Sequence, residues 1–105
     1  MKINFDYEFK DENGRPIVIG EKKEPATLKA VAKMSLLHGG DQGQDAKQKR
    51  HRYELAAKIH NFGSSAVLDQ DDIEMLKLMI GVAMVPLVVG PAMAILEGQE
   101  PLAIA

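Results

Sequence analysis

Residues 3–19, INFDYEFKDENGRPIVI, decide the fold class of this chain. Apolar and polar side chains alternate over Ile3–Phe9, which is the period-two pattern of a strand with one buried face. The polar segment that follows is centred on Asn13-Gly14, a pair that tolerates the positive φ angles of a tight hairpin turn. Ile17–Ile19 then supply a short return strand. Because a lone hairpin is only marginally stable in water, other elements must cover its apolar face.

Helical periodicity begins after this hairpin, and three stretches of it follow residues that suit a helix N-cap. The three capping residues are Thr27, Asp45 and Asp69. The helices that they open are predicted to end near Leu37, Asn61 and Met84. In the second helix, five positions at helical spacing predict a stripe that faces the core. These positions are Arg52, Leu55, Ala56, Ile59 and Phe62.

Two prolines leave the last helical segment open to two interpretations. Pro86 suits the first turn of a fourth helix, which would reach Leu96 or Glu97. Pro91 would then lie in the helix interior, where a proline costs about 3 kcal/mol. Either the helix accommodates a kink, or Gly90-Pro91 splits the segment into two short pieces.

The predicted fold class is therefore α+β, an N-terminal β-hairpin followed by three to four α-helices. Lys22–Pro25 is interpreted as a polar connector between the hairpin and the helices. With 105 residues, the chain has room for one domain. We expect that single small α+β domain to span residues 1–98, with a frayed tail over 99–105.

The composition excludes several classes of protein. The formal net charge of −2 argues against a globally basic nucleic-acid-binding protein. The absence of cysteine excludes a disulfide framework, thiolate catalysis and a cysteine-ligated zinc site. Met1–Phe9 lacks the apolar core of a secretory signal, so we expect no such signal.

The most informative feature for function is an uncharged run, LMIGVAMVPLVVGPAMAIL, over Leu78–Leu96. Three interpretations compete. The first is a transmembrane helix, since about 20 apolar residues span a bilayer. The second is two short helices buried in the monomer core, and the third is a surface buried between subunits. The two prolines weaken the first. The third is favoured because a helix that is apolar all round needs cover on every side. One hairpin and two modest helices offer few covering faces.

The sequence therefore predicts a homo-oligomer that associates through this segment. The residues expected at the contact are Met79, Val82, Met84, Val85, Leu87, Val88, Val89, Met93 and Leu96.

A basic cluster near the start of the second helix offers a weaker alternative, a small nucleic-acid-binding regulator. The cluster consists of Lys47, Lys49, Arg50 and Arg52, with His51 among them. Such a run can bind phosphates. However, only Tyr53 accompanies it as a stacking aromatic, and no helix-turn-helix pattern is evident. A solvated helix face is the simpler interpretation. The second alternative, a small membrane-associated protein, rests on the length of the uncharged run.

No residue pattern points to catalysis, a cofactor or a metal. The spacings of His38, His51 and His60 do not match those of metal ligands. Asp69, Asp71, Asp72 and Glu74 lack the glycine and the twelfth-position acid of a calcium loop, so helix capping explains them better. We therefore expect no enzymatic activity, no cofactor, no metal and no small-molecule substrate.

The order of these elements resembles a group of short phage- and prophage-encoded proteins. The resemblance lies in the hairpin and in three later stretches. These are TLKAVAKMSLL (27–37), KRHRYELAAKI (49–59) and DDIEMLKLMIGVAMVPLVVGPAMAILEG (71–98). All are structural motifs, so the resemblance implies a phage origin and a shared fold but supplies no site residues. It implies either an accessory role in virion assembly, for example as a tail-assembly factor, or a role as a small regulator of host or phage processes. The implied location is the host bacterial cytoplasm or the virion. Pro91 departs from the group's pattern.

Overall fold

The computed structural model describes residues 3–20 and 22–102. The predicted turn is present at Asp11–Arg15. The carboxylate Oδ1 of Asp11 accepts hydrogen bonds from the N–H groups of Asn13 and Arg15 at 2.9 and 3.0 Å. Gly14 adopts a φ of 77°, a left-handed conformation that glycine reaches without a steric penalty.

The two strands of the sheet are β1 (Val18–Ile19) and β2 (Glu24–Pro25), which pair antiparallel. The predicted hairpin is confirmed as an element of the fold, but its strand pairing differs from the prediction. The interpretation of Lys22–Pro25 as a connector is wrong, because Glu24 and Pro25 are the partners of β1.

The N-terminal segment joins the sheet only through isolated bridges, Glu8 to Thr27 and Lys10 to Pro16. Two local features explain why the predicted ladder stays short. The side chain of Asn4 accepts a hydrogen bond from the N–H of Asp6 at 3.1 Å, which bends the chain into a turn. Pro16 has no N–H to donate to a longer ladder.

Three backbone hydrogen bonds close this N-terminal unit into a ring. The N–H of Phe9 donates to the carbonyl of Ala26 at 2.9 Å, and the N–H of Ala26 donates to that of Ile17 at 2.7 Å. The N–H of Ile17 donates back to Phe9 at 3.0 Å. The ring joins the first segment to Ile17, which precedes β1, and to Ala26, which lies between β2 and the first helix. The alternation of the first segment is confirmed, since Ile3, Phe5 and Phe9 are buried.

Four α-helices follow: α1 (Leu28–His38), α2 (Ala46–Phe62), α3 (Gln70–Ala83) and α4 (Pro86–Leu96). The three predicted caps are confirmed. Thr27 accepts from the N–H of Ala30, and Asp45 and Asp69 each form a reciprocal capping box. A single turn of 3-10 helix at Gly63–Ser65 follows α2.

The fourth helix is continuous through Pro91, so Gly90-Pro91 does not split it. Its first residue is Pro86, as predicted. In α2, four positions of the predicted stripe are buried, but Phe62 is 62% exposed. That part of the prediction is wrong, because Phe62 is the last residue of the helix and the chain turns away at Gly63.

One hydrophobic core contains residues of the first segment and of all four α-helices. It runs from Ile3 in the first segment to Leu96 at the end of α4. Helix α1 packs against α2 and α3, and α4 packs against α3. The expected boundary at residue 98 falls just beyond this core. Of the expected tail, residues 103–105 lie outside the described part of the chain.

Candidate functional site

The uncharged run folds into the second half of α3 and the whole of α4. Two contacts show that these helices lie side by side and antiparallel. Lys77 Nζ and Glu97 Oε1 form an ion pair at 3.1 Å. Further along, a Cβ at Gly81 would lie 3.5 Å from the Cε of Met93, which is ordinary van der Waals contact. The small residue at position 81 therefore leaves room for the methionine of the neighbouring helix.

The nine residues predicted at a subunit contact do not share one surface. Met79, Val88 and Leu96 are almost completely enclosed within the monomer, so they are not available to a partner. The prediction is wrong for these three because the covering faces are more extensive than the sequence pattern indicated. The core of this small chain includes Ile3, Phe5 and Phe9 of the N-terminal segment as well as residues of the four helices.

The other six predicted contact residues reach the surface to different degrees. Val82 is 47% exposed and Val85 is 62% exposed. The remaining four are half-buried beside them in the sequence: Met84, Leu87, Val89 and Met93.

Leu78 is also 48% exposed, although it was not among the predicted contact residues. It lies one helical turn before Val82, so the two side chains share a face of α3. Val85, the N-cap of α4, adds an exposed apolar side chain in the connection that follows α3. We call Leu78, Val82 and Val85 together the α3–α4 face. The i, i+4 spacing of Leu78 and Val82 was the signal in the sequence that could have placed Leu78 there.

The basic cluster is divided by the fold. Arg52, at 6% exposure, is buried between the end of α1 and α2. Its Nε donates to the carbonyl of Leu36 at 2.9 Å, and its Nη1 donates to the carbonyl of Gly40 at 2.6 Å. The same Nη1 donates to Oε1 of Gln44 at 3.1 Å. Arg52 thus satisfies one carbonyl that the end of α1 leaves free, that of Leu36, and one carbonyl of the loop that follows, that of Gly40.

The other basic residues of the cluster lie on the surface. Arg50 pairs with Glu54 on the same helix at 2.8 Å, and Lys49 pairs with Asp41 at 3.2 Å. Because Arg52 is buried while Lys47, Lys49 and Arg50 are exposed, the structure does not present the four basic residues as one phosphate-binding surface.

A second buried charged group with three hydrogen bonds is the carboxylate of Asp72, in the first turn of α3. It accepts hydrogen bonds from His51 Nε2 at 2.7 Å, from Lys58 Nζ at 3.3 Å and from the N–H of Asp69 at 3.1 Å. Burial alone would raise the pKa of this carboxyl. The three hydrogen bonds outweigh that effect and hold the pKa below its ordinary value of 3.8. Asp72 therefore links α2 to α3 as a carboxylate.

Within residues 3–20 and 22–102, no three His, Asp or Glu side chains converge as metal ligands would. Among the helices of those same residues, none combines the length and the apolar character needed to cross a membrane.

The chain matches no protein-family model, no curated protein and no solved structure. The candidate site is therefore inferred from the structure of this chain and not from a relative. Its central feature is the exposed apolar α3–α4 face, which lies in a stretch without any charged side chain between Leu78 and Leu96.

Proposed function

We propose that this chain is a non-enzymatic interaction protein that associates with itself through the α3–α4 face. The observation that carries the proposal is the exposure of Leu78, Val82 and Val85 within an uncharged stretch of 19 residues. A group of exposed large apolar side chains is typical of a surface that binds another protein. Half-buried methionines beside the face add adaptable contact area.

A second copy of the chain is the proposed partner because the surface is uncharged and apolar. Such a surface is suited to a two-fold contact, in which each side chain meets the same patch of the partner. A charged partner would gain nothing there from electrostatic attraction.

The proposed setting is a phage or prophage, with a role as an accessory to tail or virion assembly. This part of the proposal rests on the resemblance of the hairpin and the helical stretches to the short phage-encoded group. The neighbouring genes test it, because an assembly factor is expected among structural genes.

The association is tested by sedimentation equilibrium over a range of concentrations. The parent is expected to have a mass above the 11.5 kDa of one chain. The Val85→Asp variant is expected to have the mass of one chain. Full burial of a valine contributes about 1.5–3 kcal/mol. Since each substitution acts twice in a two-fold dimer, we expect the dissociation constant to rise by about 100-fold or more.

Val67→Asp is the matched control, because Val67 is 85% exposed and lies between α2 and α3, outside the α3–α4 face. It introduces the same charge and should leave the mass unchanged. Thermal melting of each variant shows whether the monomer itself remains folded. A parent that sediments as a monomer at all concentrations would contradict the proposal.

A further inference from the structure

The side chain of Arg52 is a buried cation surrounded by neutral acceptors. Its three hydrogen bonds go to two backbone carbonyls and one side-chain amide oxygen. Among the residues that the structure describes, no carboxylate forms an ion pair with it. A buried charge is unfavourable unless an opposite charge or hydrogen bonds compensate it. The carbonyls supply hydrogen bonds, but the net positive charge remains.

Arg52 also lines an open cleft between the end of α1 and the first half of α2. The cleft has a volume of about 520 Å³, and its wall includes His38, Lys49 and Tyr53. Cavities of small-molecule sites are typically about 300–1,000 Å³. The Nε and Nη1 groups of Arg52 are engaged with the protein. Within the described part of the chain, Nη2 forms no hydrogen bond, and Ser35 Oγ is the one fully buried side-chain polar atom without a partner. Nη2 therefore keeps some exposed surface from which it can reach a ligand in the cleft.

The side of the cleft carries a second cation. Lys49 lines the cleft together with Asp41, and the two form an ion pair at 3.2 Å. Both side chains are more than half exposed, so this pair is weak and can exchange partners. An anion that enters the cleft could therefore be held by Nη2 of Arg52 and by Lys49, with Asp41 as the competing acid.

We propose that this cleft binds an oxyanion, the phosphate or carboxylate group of a small molecule. The guanidinium of arginine has the donor geometry that both groups require, and these charge-assisted hydrogen bonds are the strongest that a protein forms. Arg52 is held in place by its contacts with α1 and Gln44, so little side-chain entropy is lost when the ligand binds. The site uses none of the residues of the α3–α4 face, and it goes beyond the proposed self-association.

Titration with inorganic phosphate, followed through backbone amide NMR shifts, tests this site. Ionic strength is held constant with sodium chloride, because non-specific attraction is screened by salt. Saturable shifts are expected at residues 36–41 and 49–53. A parallel titration with acetate distinguishes the two sources: saturation by phosphate alone assigns a phosphate ligand, and saturation by acetate alone assigns a carboxylate ligand. Saturation by both assigns a general oxyanion site.

Two substitutions test the charged side chains that line the cleft beside Arg52, and a third is their control. Lys49→Gln should weaken phosphate binding about tenfold, which is the effect of one charge-assisted hydrogen bond. Asp41→Asn should strengthen binding severalfold, since it removes the competing carboxylate and releases Lys49. Lys47→Gln is the matched control, because it removes the same charge from the same helix but lies outside the cleft.

Two results would overturn the proposal. The first is the absence of saturable binding by both anions to the parent and to Asp41→Asn. The second is an equal loss of binding in Lys47→Gln and Lys49→Gln, which would show attraction to the basic helix rather than a site in the cleft. Neither result depends on a variant of Arg52, whose role at the end of α1 makes it a risk to folding.

Discussion

His51 on α2 and Asp72 on α3 are joined by a hydrogen bond of 2.7 Å between Nε2 and Oδ1. The same carboxylate accepts from Lys58 on α2 and from the N–H of Asp69 at the start of α3. One side chain therefore both caps α3 and fastens it to the preceding helix.

Asp72→Asn is expected to lower the free energy of unfolding by about 2–3 kcal/mol. The amide keeps the size of the side chain, but it replaces one of the two accepting oxygens with an N–H₂ group, which can only donate. Urea denaturation at neutral pH measures the change. Asp71→Asn is the control, because Asp71 is exposed in the same first turn and contributes only about 0.3–1 kcal/mol through the helix dipole. Equal losses in the two variants would contradict the role given to Asp72.

The lowered pKa of Asp72 predicts a loss of stability in acid. Because the folded-state pKa lies below the unfolded value of 3.8, the folded protein binds this proton less readily. The stabilisation is thus complete above about pH 4 and disappears as the pH falls through the folded-state pKa, with a slope of up to about 1.4 kcal/mol per pH unit. Urea denaturation at several pH values gives the free energy of unfolding as a function of pH. Between neutral and acidic pH, this free energy should fall less steeply for Asp72→Asn than for the parent. Parallel curves would show that other carboxyl groups cause the acid sensitivity.

Gly39→Ala is expected to destabilise the fold by about 1–3 kcal/mol. A Cβ at this position would collide with the carbonyl oxygen of Ser35 and lie 2.7 Å from the Cε of the buried Met79. Thermal melting measures the loss. Gly81→Ala is the control, since its Cβ would make only ordinary contact and alanine favours a helix interior by about 0.5–1 kcal/mol. A Gly39→Ala variant as stable as the parent would mean that Met79 repacks freely.

Ser35→Ala is expected to raise stability by about 1 kcal/mol. The Oγ of Ser35 is completely buried on α1, and it has no hydrogen-bond partner among the described residues. A buried hydroxyl without a partner is unfavourable, and the alanine removes it without a large change in volume. Urea denaturation measures the change in the free energy of unfolding. Ser65→Ala is the control, because the side chain of Ser65 is exposed and its loss should change that free energy by no more than about 0.5 kcal/mol. A clear loss of stability in Ser35→Ala would reveal a hydrogen bond or water at this hydroxyl.

Pro91→Ala is expected to stabilise α4 by about 1–2 kcal/mol. Helix α4 continues through Pro91, where the ring cannot donate to the carbonyl one turn earlier. Alanine restores that hydrogen bond, although the gain is reduced because the unfolded chain becomes more flexible. A higher melting temperature in calorimetry would bear this out. A drop in melting temperature would instead indicate that packing of the half-buried ring outweighs the missing hydrogen bond.

Local chemistry decided much of the fold. Thr27, Asp45 and Asp69 open helices because their side chains accept from nearby N–H groups, an interaction confined to one turn of chain. The turn at Asn13-Gly14 is local in the same way. The sequence therefore sufficed to predict an α+β fold, with a hairpin followed by helices that begin at these residues.

The strand partners and the surface depended on contacts between distant segments. Glu24–Pro25 lacks the pattern of a strand, and it pairs with β1 because the ring through Phe9 and Ala26 brings it there. Likewise, nothing in the uncharged run distinguishes Val88, which is buried, from Val85, which is exposed. Only the packing of α4 into the core separates them.

The same division applies to Arg52. Its spacing with Leu55 and Ile59 determined that it faces the core, because helical periodicity is a property of the chain alone. The tertiary structure alone decided three other properties of Arg52: its cleft, its carbonyl partners and its separation from Lys47 and Arg50. These depend on the contact between the end of α1 and the first half of α2.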